Sequence, residues 1–331
     1  MRITRRAVTN RLAIEDRRCR SLYKSRMNAA ANRKEWLAYG ALLTAGAVIY
    51  AVSQNLPADL PVWMPWEFSW PVFLATWLSL GWFMIGLRRL PIAERPPLWR
   101  SIFFVSGVLL IYAVLQTRID YYAQHLFFAH RWAHFVLHHV APFLVALGAA
   151  GPAIRAGMPQ FFKPILDWRP LTRAVDFMQH PAVAPILFVG LLYFWLTPSI
   201  HTIVMLDRDL YDLMNWTMAI NGIFFWSLIL DSRPKPPARI GIGMRALLII
   251  AIELPQMVLG AILSLSSTDY YPVYRICGRI MAITPVSDQH YGGLIIWLPG
   301  TLVSFAAMIV VLNTLRINEE KAEHALQSNH S

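Results

Sequence analysis

The sequence predicts an all-α, polytopic transmembrane helix bundle of about eight spans with both termini in the cytoplasm. Three observations carry that prediction: overall apolarity, the number and length of the apolar runs, and the alternation of charge between the loops. The 331 residues are 56% hydrophobic and only 15% charged, whereas a soluble domain carries about a quarter charged residues. The bilayer is therefore the expected solvent. Thirteen Trp, 12 Tyr and 17 Phe supply rings for both membrane interfaces. The net charge of +11 is explained by topology and anionic headgroups, and no nucleic-acid role is read from it.

Apolar runs fall at roughly 37–53, 70–87, 101–117, 121–148, 182–197, 211–230, 244–264 and 291–314, against the roughly 20 residues a span requires. The first and fifth are short and need flanking residues to reach full length. Lys and Arg orient the spans: 11 precede the first, four lie in 88–100, four in 149–180, four in 231–245 and two after 315. Cytoplasmic loops hold such excess. The remaining five, Arg118, Arg131, Arg208, Arg275 and Arg279, fall on the alternate side, as does the loop 53–69, which has neither Lys nor Arg. This divides the chain into a basic cytoplasmic arm (1–35), a helical bundle (36–315) and a cytoplasmic tail (316–331).

The arm is expected to be disordered and has no apolar stretch that would make it a signal peptide; Met27 could serve as the start as well as Met1. Cys19 and Cys277 are expected on opposite sides of the membrane, too far apart to pair. Proline clusters at 91–97, 152–159 and 234–237 mark the cytoplasmic joints. Arg88, Arg89, Arg95, Arg100, Arg169 and Arg173 read as topology anchors.

Five histidines crowd 15 residues of the fourth run: His125, His130, His134, His138 and His139. Ionisable groups at membrane depth are costly and face a bundle interior. At 100° per residue His130, His134 and His138 form a stripe, while His139 points away from His130. The i, i+4 pair His130 and His134 can share one ligand, and neutral imidazole suits copper, zinc and iron. That pair favours a ligand or proton-handling role over packing; His125 and His138 stand evenly between the two, and His139 favours packing.

A second cluster, Asp288-Gln289-His290 followed by Gly292 and Gly293, opens the eighth run from the same non-cytoplasmic side. Asp288 can be a helix cap or, with His290, complete a metal or proton site. The glycines permit close helix approach. The loop 198–212 brings His201, Met205, Asp207, Asp209 and Asp212 to that face, with solvation the stronger reading for its acids. Glu253, followed by Pro255 inside the seventh run, is expected to pair with an arginine of a neighbouring helix.

From about Trp70 to Leu315 the chain resembles the CtaG-type cytochrome c oxidase assembly factors of bacterial inner membranes. His130-Arg-Trp-Ala-His134, continuing to Ala141-Pro142 and Leu147-Gly148, is similar to that family's His-Met-x-x-His segment, and Gly81–Leu90 with the basic loop after it resembles its first helix. Asp288-Gln289-His-Tyr-Gly-Gly293-Leu-Ile-Ile-Trp297-Leu-Pro-Gly300 resembles the family's most specific motif. The chain departs where relatives carry Trp-His-x-Pro, having Trp195-Leu196-Thr197-Pro198, so that this histidine is either absent or replaced in function by His201. It departs again where they carry Glu-His, reading Met214-Asn215.

The resemblance implies a non-enzymatic factor that binds or delivers copper for a haem-copper oxidase at the periplasmic face, with oxidase subunits and other assembly factors as partners. The expected metal residues are His130 and His134 first, then His125, His138, Asp288 and His290. A haem-binding membrane oxidoreductase and a copper transporter are the alternatives. The absence of internal repeats weighs against the transporter.

Overall fold

In a computed structural model of the chain the described residues are 35–56, 59–233, 235–236, 238–276 and 278–330, the side chains of 321, 322, 324–326 and 328–330 excepted. The basic arm, Met27, Cys19 and Cys277 lie outside this description. The chain divides into two units, the first ending at Pro57 and the second running from Ala58. Of the first, the described part is a single helix, α1 (Glu35–Asn55).

The second unit is helical throughout its regular structure. It begins with α2 (Trp70–Arg89), α3 (Leu98–Gln116), α4 (Arg118–His125) and α5 (Phe127–Phe135). A five-residue wide turn, Val136–Val140, leads into α6 (Ala141–Gly148) and α7 (Gly151–Gly157). Then follow α8 (Lys163–Leu166), α9 (Arg169–Met178), α10 (Val183–Leu196), α11 (Pro198–Leu206), α12 (Arg208–Ile229), α13 (Ile242–Leu265), α14 (Val273–Ile276) and α15 (Pro285–His330).

Among the described residues five helices are long and apolar enough to cross a membrane alone: α1, α2, α3, α13 and α15. Two bent pairs raise the number to seven. One is Phe127–Gly148 with α7, bent by 71°; the other is α9 with α10, bent by 78°. Helix α10 has only 14 residues, about 21 Å at 1.5 Å per residue, and α9 turns away from it by 78°. The 22-residue α12 occupies the sixth run and carries Asp209, Asp212, Asn215 and Asn221. Helix α15 extends unbroken past 316, so the expected tail continues the helix.

Helix ends follow local chemistry. Pro71 opens α2, and Arg88 and Arg89 in its last turn face the negative end of its dipole. The Asp207 side chain accepts from Leu210 N–H at 3.0 Å to cap α12. Packing brings α13 against α15, α2 against α7, α3 against α6 and α5 against α15. A Cβ on Gly157 would lie 1.8 Å from the Trp82 carbonyl oxygen, so glycine sets the close crossing of α7 on α2. The expected approach at the glycine pair is present: a Cβ on Gly292 would meet the Phe127 ring at 2.3 Å, and one on Gly293 the Ser264 backbone nitrogen at 2.6 Å.

Two expectations are corrected. The fourth run is not one helix, because Leu126 is extended (φ −137°, ψ 127°) and separates α4 from α5. Glu253 does not pair with an arginine; its Oε1 accepts from the Thr301 hydroxyl across α13 and α15.

Candidate functional site

Helix α5 starts afresh at Phe127 because a residue distant in sequence takes its first amides. Asp288 accepts from Phe127 N–H at 3.1 Å and Phe128 N–H at 2.9 Å, while Arg279 Nε donates to Asp288 at 3.2 Å. These amides have no partner within their own helix, and the fully buried carboxylate of α15 supplies one. Gln289 beside it accepts from Tyr270 N–H at 2.8 Å and donates to the Thr268 and Leu263 carbonyls at 3.0 and 3.3 Å. His290 Nε2 lies 2.8 Å from the Ser266 carbonyl oxygen. The Asp-Gln-His run thus anchors α5 and the 266–274 loop.

What it anchors is a buried chain of side chains. His130 Nε2 and His134 Nε2 are 3.0 Å apart, and His134 Nε2 is 3.1 Å from Asn215 Oδ1 on α12. His130 Nδ1 is 3.0 Å from the Tyr274 hydroxyl of α14, which is 3.0 Å from His201 Nε2 on α11. His201 Nδ1 closes on the Trp195 carbonyl oxygen at 3.0 Å. The His130 and His201 rings are 5.2 Å apart between centroids, and Met205 Sδ lies 3.9 Å from the Tyr274 hydroxyl. His130, His201 and Tyr274 are fully buried. His201 and Asn215, the residues at or near the two departures noted in the sequence, both belong to this chain.

The remaining expected site residues are engaged elsewhere. His125 Nδ1 is 2.8 Å from the Tyr121 carbonyl oxygen within α4. Both His138 nitrogens sit 3.0 Å from carbonyl oxygens, those of Met218 and Phe188. Asp288 and His290 hold backbone as described. Among the described residues, no three His, Cys, Asp or Glu are grouped to hold a metal ion.

His139, read as a packing residue, is 5% exposed and its Nε2 lies 3.0 Å from Gln256 Oε1 on α13, while the helix widens around it. Pro142 has no N–H to offer the His138 carbonyl, which accepts instead from Trp226 Nε1 at 3.3 Å. Arg131 is 2% exposed, with its guanidinium 5.2 Å from the Phe127 ring. Its Nε and Nη2 are unpartnered, and no acid pairs with it among the described residues.

Outside the spans, Asp120 on α4 accepts from the Tyr211 hydroxyl at 2.7 Å and from Gln124 at 2.8 Å. Burial pushes its carboxyl up to about 6, against both bonds. The sequence offered no sign of Tyr274 or Tyr211, each a single aromatic among many whose partner lies on another helix.

Residues 81–316 match the family model described as cytochrome c oxidase caa3 assembly factor. Uncharacterized proteins of Mycobacterium bovis and Mycobacterium tuberculosis are each 26% identical over 250 residues, covering 71% of this chain and 36% of theirs. One from Mycobacterium leprae is 26% identical over 230 residues, 64% of this chain and 34% of its own. The chain spans about a third of the length of these curated relatives. No solved structure matches it.

Proposed function

The chain belongs to the cytochrome c oxidase caa3 assembly factor family, and from that premise we propose that it serves the building of a haem-copper oxidase by holding copper as cargo on the periplasmic side of the bacterial inner membrane. The observation that carries the copper reading is the convergence of His130 Nε2 and His134 Nε2 at 3.0 Å inside the bundle. Imidazole nitrogens suit copper, and thioether sulfur such as that of nearby Met205 suits its reduced form. Tyr274 holds the His130 ring through Nδ1, the nitrogen opposite the pair, as partners of metal-binding histidines do. Arg131 adds an uncompensated positive charge beside the pair. Such a charge disfavours a retained cation, which fits a cargo passed onward better than a cofactor kept.

The role is non-enzymatic, and the partners are oxidase subunits and further assembly factors. The haem alternative fits poorly: the cavity beside His134 measures about 20 Å³, far below the size of a macrocycle.

The test is the copper content of the purified full chain under copper-replete conditions, compared with a His130→Ala/His134→Ala variant. Wild type is expected to carry copper and the variant to lose most of it. Equal, near-zero copper in both removes the cargo reading and leaves the assembly role, which co-purification of oxidase subunits from intact membranes tests separately. A Soret band in the visible spectrum would favour haem.

A further inference from the structure

The cavity of about 20 Å³ inside the bundle is lined in part by Arg131, His134, His139 and Gln256. Four buried polar atoms on three of these residues have no partner among the described residues: Nε and Nη2 of Arg131, Nδ1 of His134 and Nδ1 of His139. The three side chains are 2%, 3% and 5% exposed.

The bonds made by the opposite ring nitrogens decide which of these atoms carry hydrogen. Gln256 Nε2 donates to the Ile252 carbonyl at 3.0 Å, so Gln256 Oε1 is the atom facing His139, and His139 Nε2 must be the donor. An uncharged ring carries one hydrogen, which leaves His139 Nδ1 as a bare lone pair. The same reasoning runs from the far end of the buried chain. The Trp195 carbonyl can only accept, so His201 Nδ1 donates to it and His201 Nε2 accepts the Tyr274 hydroxyl hydrogen. With that hydrogen spent, the Tyr274 oxygen accepts from His130 Nδ1. His130 Nε2 is then bare and accepts from His134 Nε2, the atom that also faces the Asn215 oxygen. His134 Nδ1 is the second bare lone pair.

The three lining residues thus bring two lone pairs and two guanidinium N–H groups that lack partners. A cation would meet the guanidinium, an anion would meet the lone pairs, and an apolar guest would leave all four atoms unsatisfied. A water molecule can accept from Arg131 twice and donate once to each histidine. Its four bonds match the range seen for buried waters, and the volume exceeds the roughly 10–15 Å³ that one needs.

We propose that this cavity is a specific site for one water molecule held by Arg131, His134 and His139, and that this water fixes which nitrogen of His134 carries the hydrogen. By occupying Nδ1 as a donor it keeps the hydrogen on Nε2, the atom that faces His130. The part concerning cargo rests on the copper reading above: a copper ion can use His134 Nε2 only in the other tautomer, with the hydrogen on Nδ1 and donated to the same water in place of one Arg131 N–H, because water accepts two hydrogen bonds. Arg131 and His139 are thereby positioning residues for the pair.

The experiment uses the full chain in lipid nanodiscs, without added copper, labelled with ¹⁵N-histidine. Expected are Nδ1 resonances of the unprotonated type for His134 and His139. A protonated-type Nδ1 at either residue overturns the tautomer assignment. A structure at a resolution that shows ordered water is expected to place one density peak in the cavity, without anomalous signal after treatment with copper(I) or with bromide. An anomalous peak there, or an empty cavity, overturns the water site. A chain that binds no copper would remove the cargo reading and leave both of these readouts unchanged.

Discussion

The Asp288 carboxylate on α15 accepts the backbone N–H of Phe127 at 3.1 Å, across 161 residues of sequence. That bond, with its companion to Phe128, sets where α5 begins and so the phase at which His130 and His134 enter the bundle. Asp288 supports the site by holding the start of α5.

Asp288→Ala leaves two amides without an acceptor and the Arg279 guanidinium without its carboxylate, with an expected loss of about 3 kcal/mol, in the range for breaking a buried pair. Asp288→Asn keeps one acceptor oxygen and is expected to cost less while retaining copper. Thermal unfolding and copper content of both variants check this. Loss of copper from Asp288→Asn at wild-type stability would instead make Asp288 a ligand.

Gly293→Ala would place a methyl group 2.6 Å from the Ser264 nitrogen and 2.8 Å from the Gly260 oxygen. Backbone cannot yield as a side chain does, so α13 and α15 must separate. The expected cost is about 1–3 kcal/mol. At Gly300, where a Cβ meets nothing within 4 Å, the same change is expected within about 0.5 kcal/mol of neutral. Equal melting temperatures for the two variants would contradict the close crossing.

The Asp120 carboxyl, ordinarily at 3.8, is raised to about 6 by burial. The folded chain thus binds this proton more tightly than the unfolded chain. Its contribution is full below 3.8 and is lost as pH rises through about 6. At about 1.4 kcal/mol per unit this amounts to roughly 3 kcal/mol. Asp120→Asn holds the uncharged form and is expected to flatten the stability profile between about pH 4 and pH 7. An unchanged slope in unfolding measured across that range would contradict the assignment.

The helical bundle was legible because the length and apolarity of its runs are properties of contiguous sequence. The i, i+4 spacing of His130 and His134 likewise placed them on one helix face without reference to anything else. The break at Leu126 was not legible, since its cause is the Asp288 carboxylate on α15. Nor was the widened turn at Val136–Val140, where Pro142 frees the His138 carbonyl for Trp226 on α12. Tyr274 joins His130 to His201 from a four-residue helix between spans, and such a helix has no periodicity to announce it. Asp288 and His290 looked like ligands because carboxylates and imidazoles serve equally to hold backbone; only their partners distinguish the two uses.

The most direct test of the central claim is the copper-to-haem ratio of the purified oxidase from cells lacking this chain, complemented either with wild type or with the His130→Ala/His134→Ala variant at equal membrane abundance. The account predicts a full copper complement with wild type and a deficit with the variant. A fully metallated oxidase in the presence of the variant would contradict it.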